Sequence, residues 1–242
     1  MDMNITTEFE ALWNNGPVMK QTRDAFALST DSVLLAYFAS GKKGKKILDL
    51  GTGAGVIPII LGTEDRLSSI TGIEIDEKAA ALARENMSAN SLSAESIVTG
   101  DIRNIKALAV SGTFDIVISN PPYFREGSGI SSPDPDRAAR RDERICTLSD
   151  IVKAAKYACR WGGSLFLVHK PERLADIFEE MRKNGFEPKR LRFVCYSPIH
   201  APNLILCEGR RGGNPGLNIE KPLFLTDTNG SESEESKRIY HR

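Results

Sequence analysis

Asp49-Leu50-Gly51-Thr52-Gly53-Ala54-Gly55 follows directly on a strand-length run at 46–50 and leads into the apolar start of a helix at 56–61. Glycine carries no Cβ, so three glycines at alternate positions let the chain bend sharply and let a ligand come close to the backbone. A strand, a glycine turn and a helix in that order form the opening unit of an open α/β sheet, which binds ligands at the carboxyl ends of its strands. Taken alone the pattern is weak, because phosphate-binding folds share it.

Outward from this turn, further strand-length runs recur at 70–75, 96–99, 114–119, 164–169, 189–196 and 204–208. Helical patterns fall between them at 76–90, 148–160 and 172–184, the first opened by Asp76 and the last closed by Asn184-Gly185. The alternation predicts an α/β protein with a seven-stranded, mostly parallel sheet and helices on both faces, occupying residues 46–226. Residues 1–45 are expected to supply an N-terminal segment and a helix packing on the ligand pocket. Residues 227–242, acidic and then basic, are expected to be disordered.

Composition narrows the function classes. With 32 basic and 32 acidic residues the formal net charge is zero, so no global field draws the chain onto nucleic acid and any such footprint must be local. The first sixteen residues carry Asp2, Glu8 and Glu10 without an apolar core segment, and the apolar stretch 56–61 is too short to span a bilayer. A cytoplasmic protein with no membrane partner is expected. Cys146, Cys159, Cys195 and Cys207 show no CxxC spacing and no histidine cluster, which predicts reduced packing residues and no metal site.

Three acids sharpen the meaning of the glycine turn. The second strand ends in Gly72-Ile73-Glu74-Ile75-Asp76, which brings Glu74 one strand away, where it can accept hydrogen bonds from both ribose hydroxyls of an adenosine. Asp101 follows the third strand and can accept from an adenine amino group, while Asp49 opens the turn itself. Acids around the pocket disfavour a pyrophosphate and suit a ligand carrying a sulfonium and an ammonium. The arrangement resembles that of the S-adenosylmethionine-dependent methyltransferases, and the resemblance implies a Rossmann-like class I methyltransferase fold with S-adenosylmethionine as cofactor.

The fourth strand delivers Asn120-Pro121-Pro122-Tyr123 to the same edge. The lone pair of an amine conjugated to a ring or carbonyl is delocalised, and methylation requires it on nitrogen. An asparagine oxygen and an adjacent backbone carbonyl can each accept one N–H and hold the amine in line with a departing sulfur. Prolines stiffen the loop, and Tyr123, with Phe124, can stack on a flat base swung out of its own stack.

This tetrad is shared by methylases of adenine and of glutamine side chains. Two stretches choose between them. Phe26-Ala27-Leu28-Ser29-Thr30-Asp31-Ser32-Val33-Leu34-Leu35-Ala36 resembles the FxxxxDxxLLA helix of the bacterial tRNA1(Val) adenine-37 N6-methyltransferase family, and Val168-His169-Lys170-Pro171-Glu172-Arg173-Leu174 and Glu208-Gly209-Arg210-Arg211-Gly212-Gly213 are similar to it as well. The similarity covers about residues 25–225. It implies that Asn120 and Pro121 orient the amine and that Tyr123 stacks on the base. Asp49, Gly51, Gly53, Gly55, Glu74, Asp101 and Asn120 would line the cofactor. Asp31 would either close the methionine end of the pocket or cap its helix.

Pro122, Phe124, Arg140 and Arg141 complete the expected substrate side. Arg125, Arg137 and Arg144 flank that loop, where guanidinium groups can bind phosphates, offset by Asp134, Asp136, Asp142 and Glu143. The run Ala139-Arg140-Arg141-Asp142-Glu143 departs from the family's A-R-[HT]-E by a basic residue. His169 and His200 have no partner pattern for general-base work. The competing readings are a protein N5-glutamine methyltransferase, which carries a helical domain where only 48 residues precede Asp49 here, and an inactive RNA-binding scaffold, against which every motif position is filled.

Overall fold

Alternate side chains of each central strand enter two different cores. The computed structural model describes residues 8–20, 30–41, 44–65, 68–121 and 146–241. In strand β3 (Lys46–Leu50) Ile47 faces one core and Leu48 and Leu50 the other; in β6 (Phe114–Ser119) Ile116 and Ile118 face the first and Val117 the second. β7 (Cys159–His169) repeats the split with Phe166 and Val168 against Leu165 and Leu167. Period-two alternation of apolar residues on both faces is what a sheet covered by helices on each side requires.

The first core is closed by α1 (Thr30–Ala39), α2 (Val56–Glu64) and α3 (Glu77–Ala89), the second by α4 (Ile105–Leu108), α5 (Leu148–Ala158) and α6 (Leu174–Lys183). The helix start expected at Asp76 is made, its side chain accepting from the backbone N–H groups of Lys78 and Ala79, and α5 starts on a reciprocal capping box of Thr147 with Asp150.

The remaining strands are β4 (Ser69–Glu74), β5 (Ile97–Thr99), β8 (Phe186–Cys195) and β9 (Pro202–Arg211). They order the sheet as β8-β9-β7-β6-β3-β4-β5, all neighbours parallel except that β9 runs against β7 and β8. The seven expected strands are therefore present, and two two-residue strands, β10 (Asn218–Ile219) and β11 (Leu223–Phe224), pair along β8 to bring the sheet to nine. From β3 the chain winds outward through β4 and β5, then returns to place β6 on the other side of β3. That reversal opens a crevice beyond the carboxyl ends of β3 and β6, the place where open α/β sheets bind ligands.

Residues 227–242 are expected to be disordered, and the described part of that stretch, 227–241, is not. Residues 234–239 form α7 (Glu234–Ile239), capped by Ser233, with Ile239 buried in the first core and Arg192 paired to Glu235 at 2.7 Å. One apolar side chain among charges gives no visible period in the sequence, so burial decided by contact with α1 and β11 was missed.

Before the sheet, β1 (Glu10–Ala11) and β2 (Val18–Met19) make a hairpin that two buried asparagines, Asn86 of α3 and Asn90 at its C-terminal cap, hold in place. Asn90 exchanges two hydrogen bonds with the backbone of Val18 (2.9 and 2.7 Å). Asn86 accepts from the Lys20 N–H (2.8 Å) and donates to the carbonyls of Lys20 (3.2 Å) and Ala54 (3.0 Å), tying the N-terminal segment to the glycine turn. Asn86→Ala strands these buried groups, and about 2–4 kcal/mol of stability is expected to be lost, measurable as a lower urea midpoint at unchanged slope.

Candidate active site

The glycine turn is shaped by left-handed backbone. Gly51, Gly53 and Gly55 have φ of 77°, 55° and 89°, a region that L side chains rarely enter. The N–H groups of Gly51 and Thr52 donate to the Ile73 carbonyl (2.9 and 3.0 Å), which docks the turn on the end of β4. There Glu74 accepts from Gly53 N–H at 2.8 Å with one oxygen and from Asp76 N–H at 2.9 Å with the other. The carboxylate expected to meet a ribose is thus held rigidly against the turn, one strand from Asp49, as the sequence spacing implies.

Asp49 is 1% exposed. Thr52 Oγ1 donates to its Oδ2 at 2.7 Å, whereas Oδ1 is buried with no hydrogen-bond partner among the described residues. Burial lifts the Asp49 pKa to about 7; the Thr52 hydroxyl opposes the rise and the nearby Glu74 charge adds to it. Thr52 reaches Asp49 only because residue 72 is glycine, since a Cβ there would lie 2.9 Å from Thr52 Oγ1. Asp101 caps a short helical turn and is chelated by Arg103, whose Nε approaches both oxygens (3.0 and 2.7 Å) and whose side-chain hydrogen bonds, helped by its backbone N–H and charge, hold the carboxyl below its usual range.

Asn120 leaves the end of β6 beside this turn. The registers of β3 and β6 pair Asp49 with Ile118, and the Ser119 hydroxyl donates to the Leu50 carbonyl at 2.7 Å, so the two strand ends are tied at the crevice. The Asn120 carboxamide donates from Nδ2 to Ser32 Oγ at 3.0 Å. Pro121 is buried. Asp31 lies in the first turn of α1, one residue inside the helix and next to Ser32. Pro122, Tyr123, Phe124, Arg125, Arg137, Arg140, Arg141 and Arg144 lie outside the described residues.

His169 is 3% exposed, accepts the Lys170 N–H on Nδ1 at 2.8 Å, and is driven by burial to a pKa of about 4. It is a neutral packing group that shapes the turn after β7. His200 is bonded through Nδ1 to Ser197 Oγ at 2.7 Å in the loop between β8 and β9. Among the described residues no group of three or more His, Cys, Asp or Glu side chains could hold a metal ion, and no helix is long and apolar enough to cross a membrane.

Three residues of the site escaped the sequence pattern: Ser32, Thr52 and Asn86. Asn86 and Asn90 did leave a trace, because polar residues four apart on the apolar face of a helix must find partners inside. Ser32 and Thr52 leave none, since short hydroxyls are common at turns and helix starts.

A doubly wound sheet with an acid-lined glycine turn at its switch point, and an asparagine-proline pair on the facing strand end, defines the class of S-adenosylmethionine-dependent methyltransferases. The family model described as methyltransferase small domain matches residues 29–184. The chain is 32% identical over 197 residues to a tRNA1(Val) (adenine(37)-N6)-methyltransferase of Porphyromonas gingivalis, covering 78% of this chain and 76% of that one. It is 29% identical over 217 residues to the protein of the same name from Tolumonas auensis, covering 89% and 88%. A predicted O-methyltransferase of known structure from Agrobacterium tumefaciens shares the fold at a TM-score of 0.71 and 20% identity, over 88% of this chain and 96% of that one. The chain belongs to the methyltransferase small domain family and, within it, to the family of the tRNA1(Val) (adenine(37)-N6)-methyltransferases.

Proposed function

We propose that this methyltransferase transfers a methyl group from S-adenosylmethionine to the exocyclic N6 amine of adenosine 37 in a valine tRNA, and that it works in the cytoplasm. The observation that carries the proposal is the Asn120 carboxamide, anchored at the end of β6 across the crevice from the glycine turn. The substrate follows from the relatives that match most of the chain, which act on that adenine by name.

The pocket residues suit the cofactor. The unpartnered, buried Asp49 Oδ1 matches an ammonium group, which would keep the carboxyl ionised. Glu74 would take the ribose hydroxyls and Asp101 the adenine amino group, and Gly51 and Gly53, where a Cβ would meet nothing within 4 Å, leave the backbone open to close approach, whereas Gly55 packs against Ala83. Asp31 closes the methionine end. When bound, S-adenosylmethionine supplies an electrophilic methyl group on a positively charged sulfur.

Asn120 Oδ1 and the Pro121 carbonyl accept the two N–H groups of the target amine, which pulls its lone pair out of conjugation and aims it. Pro122, Tyr123 and Phe124 take the base, and Arg140 and Arg141 take phosphates, on the strength of their sequence positions. With a zero net charge over the chain and acids interspersed in that loop, these phosphate contacts are local and rest on individual guanidinium groups. No strong base is required, because the methylated amine loses its proton readily to water.

The test is incubation with labelled S-adenosylmethionine and unmodified valine tRNA transcript, followed by digestion to nucleosides. Label in N6-methyladenosine, mapped to position 37 by mass spectrometry of oligonucleotides, is expected. Label in protein glutamine, or none in N6-methyladenosine, overturns the substrate.

A further inference from the structure

We infer that Ser32 is a positioning residue for methyl transfer: its hydroxyl holds the Nδ2 end of the Asn120 carboxamide so that the Oδ1 end is presented to the target amine. The inference rests on the proposed role of Asn120 and extends the reacting constellation to a helix 88 residues earlier in the chain.

The two ends of a carboxamide are nearly the same size, yet only one orientation works. With Oδ1 toward the substrate the group accepts an N–H; with the ends exchanged, two donors face each other. The target N–H selects the carboxamide end that faces it, and the Ser32 hydroxyl, which can accept as well as donate, holds the far end in place so that the group stays aimed. Nδ2 can only donate, and Ser32 Oγ accepts from it at 3.0 Å. Ser32 is 8% exposed, so water competes poorly for that contact.

The helix that carries Ser32 is fixed by burial and by ring contacts. Val33, Leu34, Leu35 and Ala36 are each no more than 2% exposed, and Phe38 packs edge-on against Phe166 of β7 (5.9 Å between centroids) with the Arg190 guanidinium over its other side (4.2 Å). Of the first seven residues of α1, Thr30-Asp31-Ser32-Val33-Leu34-Leu35-Ala36, the four that follow Ser32 are apolar and buried, which leaves its hydroxyl as a polar contact aimed from a rigid element. Such a group holds a reacting side chain to tighter tolerance than a loop could.

The experiment compares Ser32→Ala, Ser32→Thr, Asn120→Ala and the double variant Ser32→Ala/Asn120→Ala in methyl transfer to valine tRNA transcript. Thermal unfolding and S-adenosylmethionine binding are measured on each. Ser32→Ala is expected to lower kcat about tenfold while cofactor Kd and the KM for tRNA stay within about threefold. Ser32→Thr, which keeps the hydroxyl, is expected to retain most of kcat. In the Asn120→Ala background the serine change should add nothing, because the group it positions is gone. Wild-type kcat in Ser32→Ala, or a tenfold loss that persists in the Asn120→Ala background, overturns the inference. If Ser32→Ala does not fold, the Ser32→Thr and Ser32→Cys pair decides: equal kcat in the two overturns it, and a loss confined to cysteine, a weak acceptor, supports it. Full activity in Asn120→Ala is a different failure, and removes the reading of the site on which the inference stands.

Discussion

Asn120→Ala is expected to bind S-adenosylmethionine within about threefold of the parent enzyme and to lose about 10²–10³-fold in kcat, equivalent to roughly 3–4 kcal/mol of transition-state stabilisation. The reason lies in where the side chain sits. Its anchors are Ser32 and the end of β6, and the acids of the glycine turn are held by their own partners, Glu74 by Gly53 and Asp76, Asp49 by Thr52. Removing the carboxamide therefore leaves the turn intact. What goes is an acceptor used only as the amine rehybridises, when its N–H groups become more acidic and its lone pair leaves the ring. Single-turnover rates with saturating cofactor, beside calorimetric cofactor Kd, make the separation. Parallel loss of binding and turnover would instead mean that the crevice itself had collapsed.

Asp49→Asn should move stability and binding in opposite directions, and do so with a particular pH dependence. The folded carboxyl has a pKa of about 7 against an ordinary value of 3.8, so between pH 4 and 7 the folded ligand-free chain keeps a proton that the unfolded chain has lost. Stability contributed by this group is fully present below the unfolded pKa and is lost as pH rises to the folded one, at about 1.4 kcal/mol per unit. An amide does not titrate. The variant is thus expected to gain on the parent by about 2–3 kcal/mol between pH 5 and pH 8, with the difference level above that. His169, depressed to about 4, acts in the other sense, adding stability as pH rises from 4 to 6.5, and it cancels in the comparison because both proteins carry it. Cofactor affinity at pH 8 should fall about 10²-fold in the variant, since the ammonium loses its buried counter-charge. Denaturation curves across pH, with isothermal titration at pH 8, check both halves. A pH-independent stability difference would show that Asp49 stays ionised, and an unchanged Kd would detach it from the cofactor.

A further consequence of the Asp49 geometry is linkage. Binding that requires the ionised carboxyl expels its proton, so cofactor affinity should strengthen from pH 6 to pH 8 in the parent and the Asp49 part of that trend should vanish in Asp49→Asn. Thr52 tempers the effect, because its hydroxyl already favours the charged form.

The elements that hold the site were legible wherever local chemistry imposes a pattern. A strand buried on both faces must be continuously apolar, a tight turn meeting a ligand must be glycine, and a helix start must find an acceptor for its free N–H groups. Those requirements made the runs 46–50, 70–75 and 114–119, the turn 49–55 and the cap at Asp76 readable one after another, and with them the placing of Asp49, Glu74, Asp101 and Asn120 at one sheet edge. Strand ends were less legible: β7 begins at Cys159 and not at 164, because Arg160-Trp161-Gly162-Gly163 extend it through a bulge that has no apolar period.

What the chain alone determined is thus the order of strands and helices, the glycine turn, and which carboxylates and which carboxamide reach the ligand edge, since each follows from residues close together in sequence. What only the tertiary structure decided is how those groups are held: Ser32 on Asn120, Thr52 on Asp49, Asn86 between the hairpin and the turn, and Ile239 in the core. Most of these contacts join segments tens of residues apart, and a polar group's need for a partner says nothing in sequence about which distant group will meet it. Even for Asp49 and Thr52, three residues apart, the decisive facts are the absence of a side chain at Gly72 and the water excluded from around them, both of which exist only once the sheet has formed.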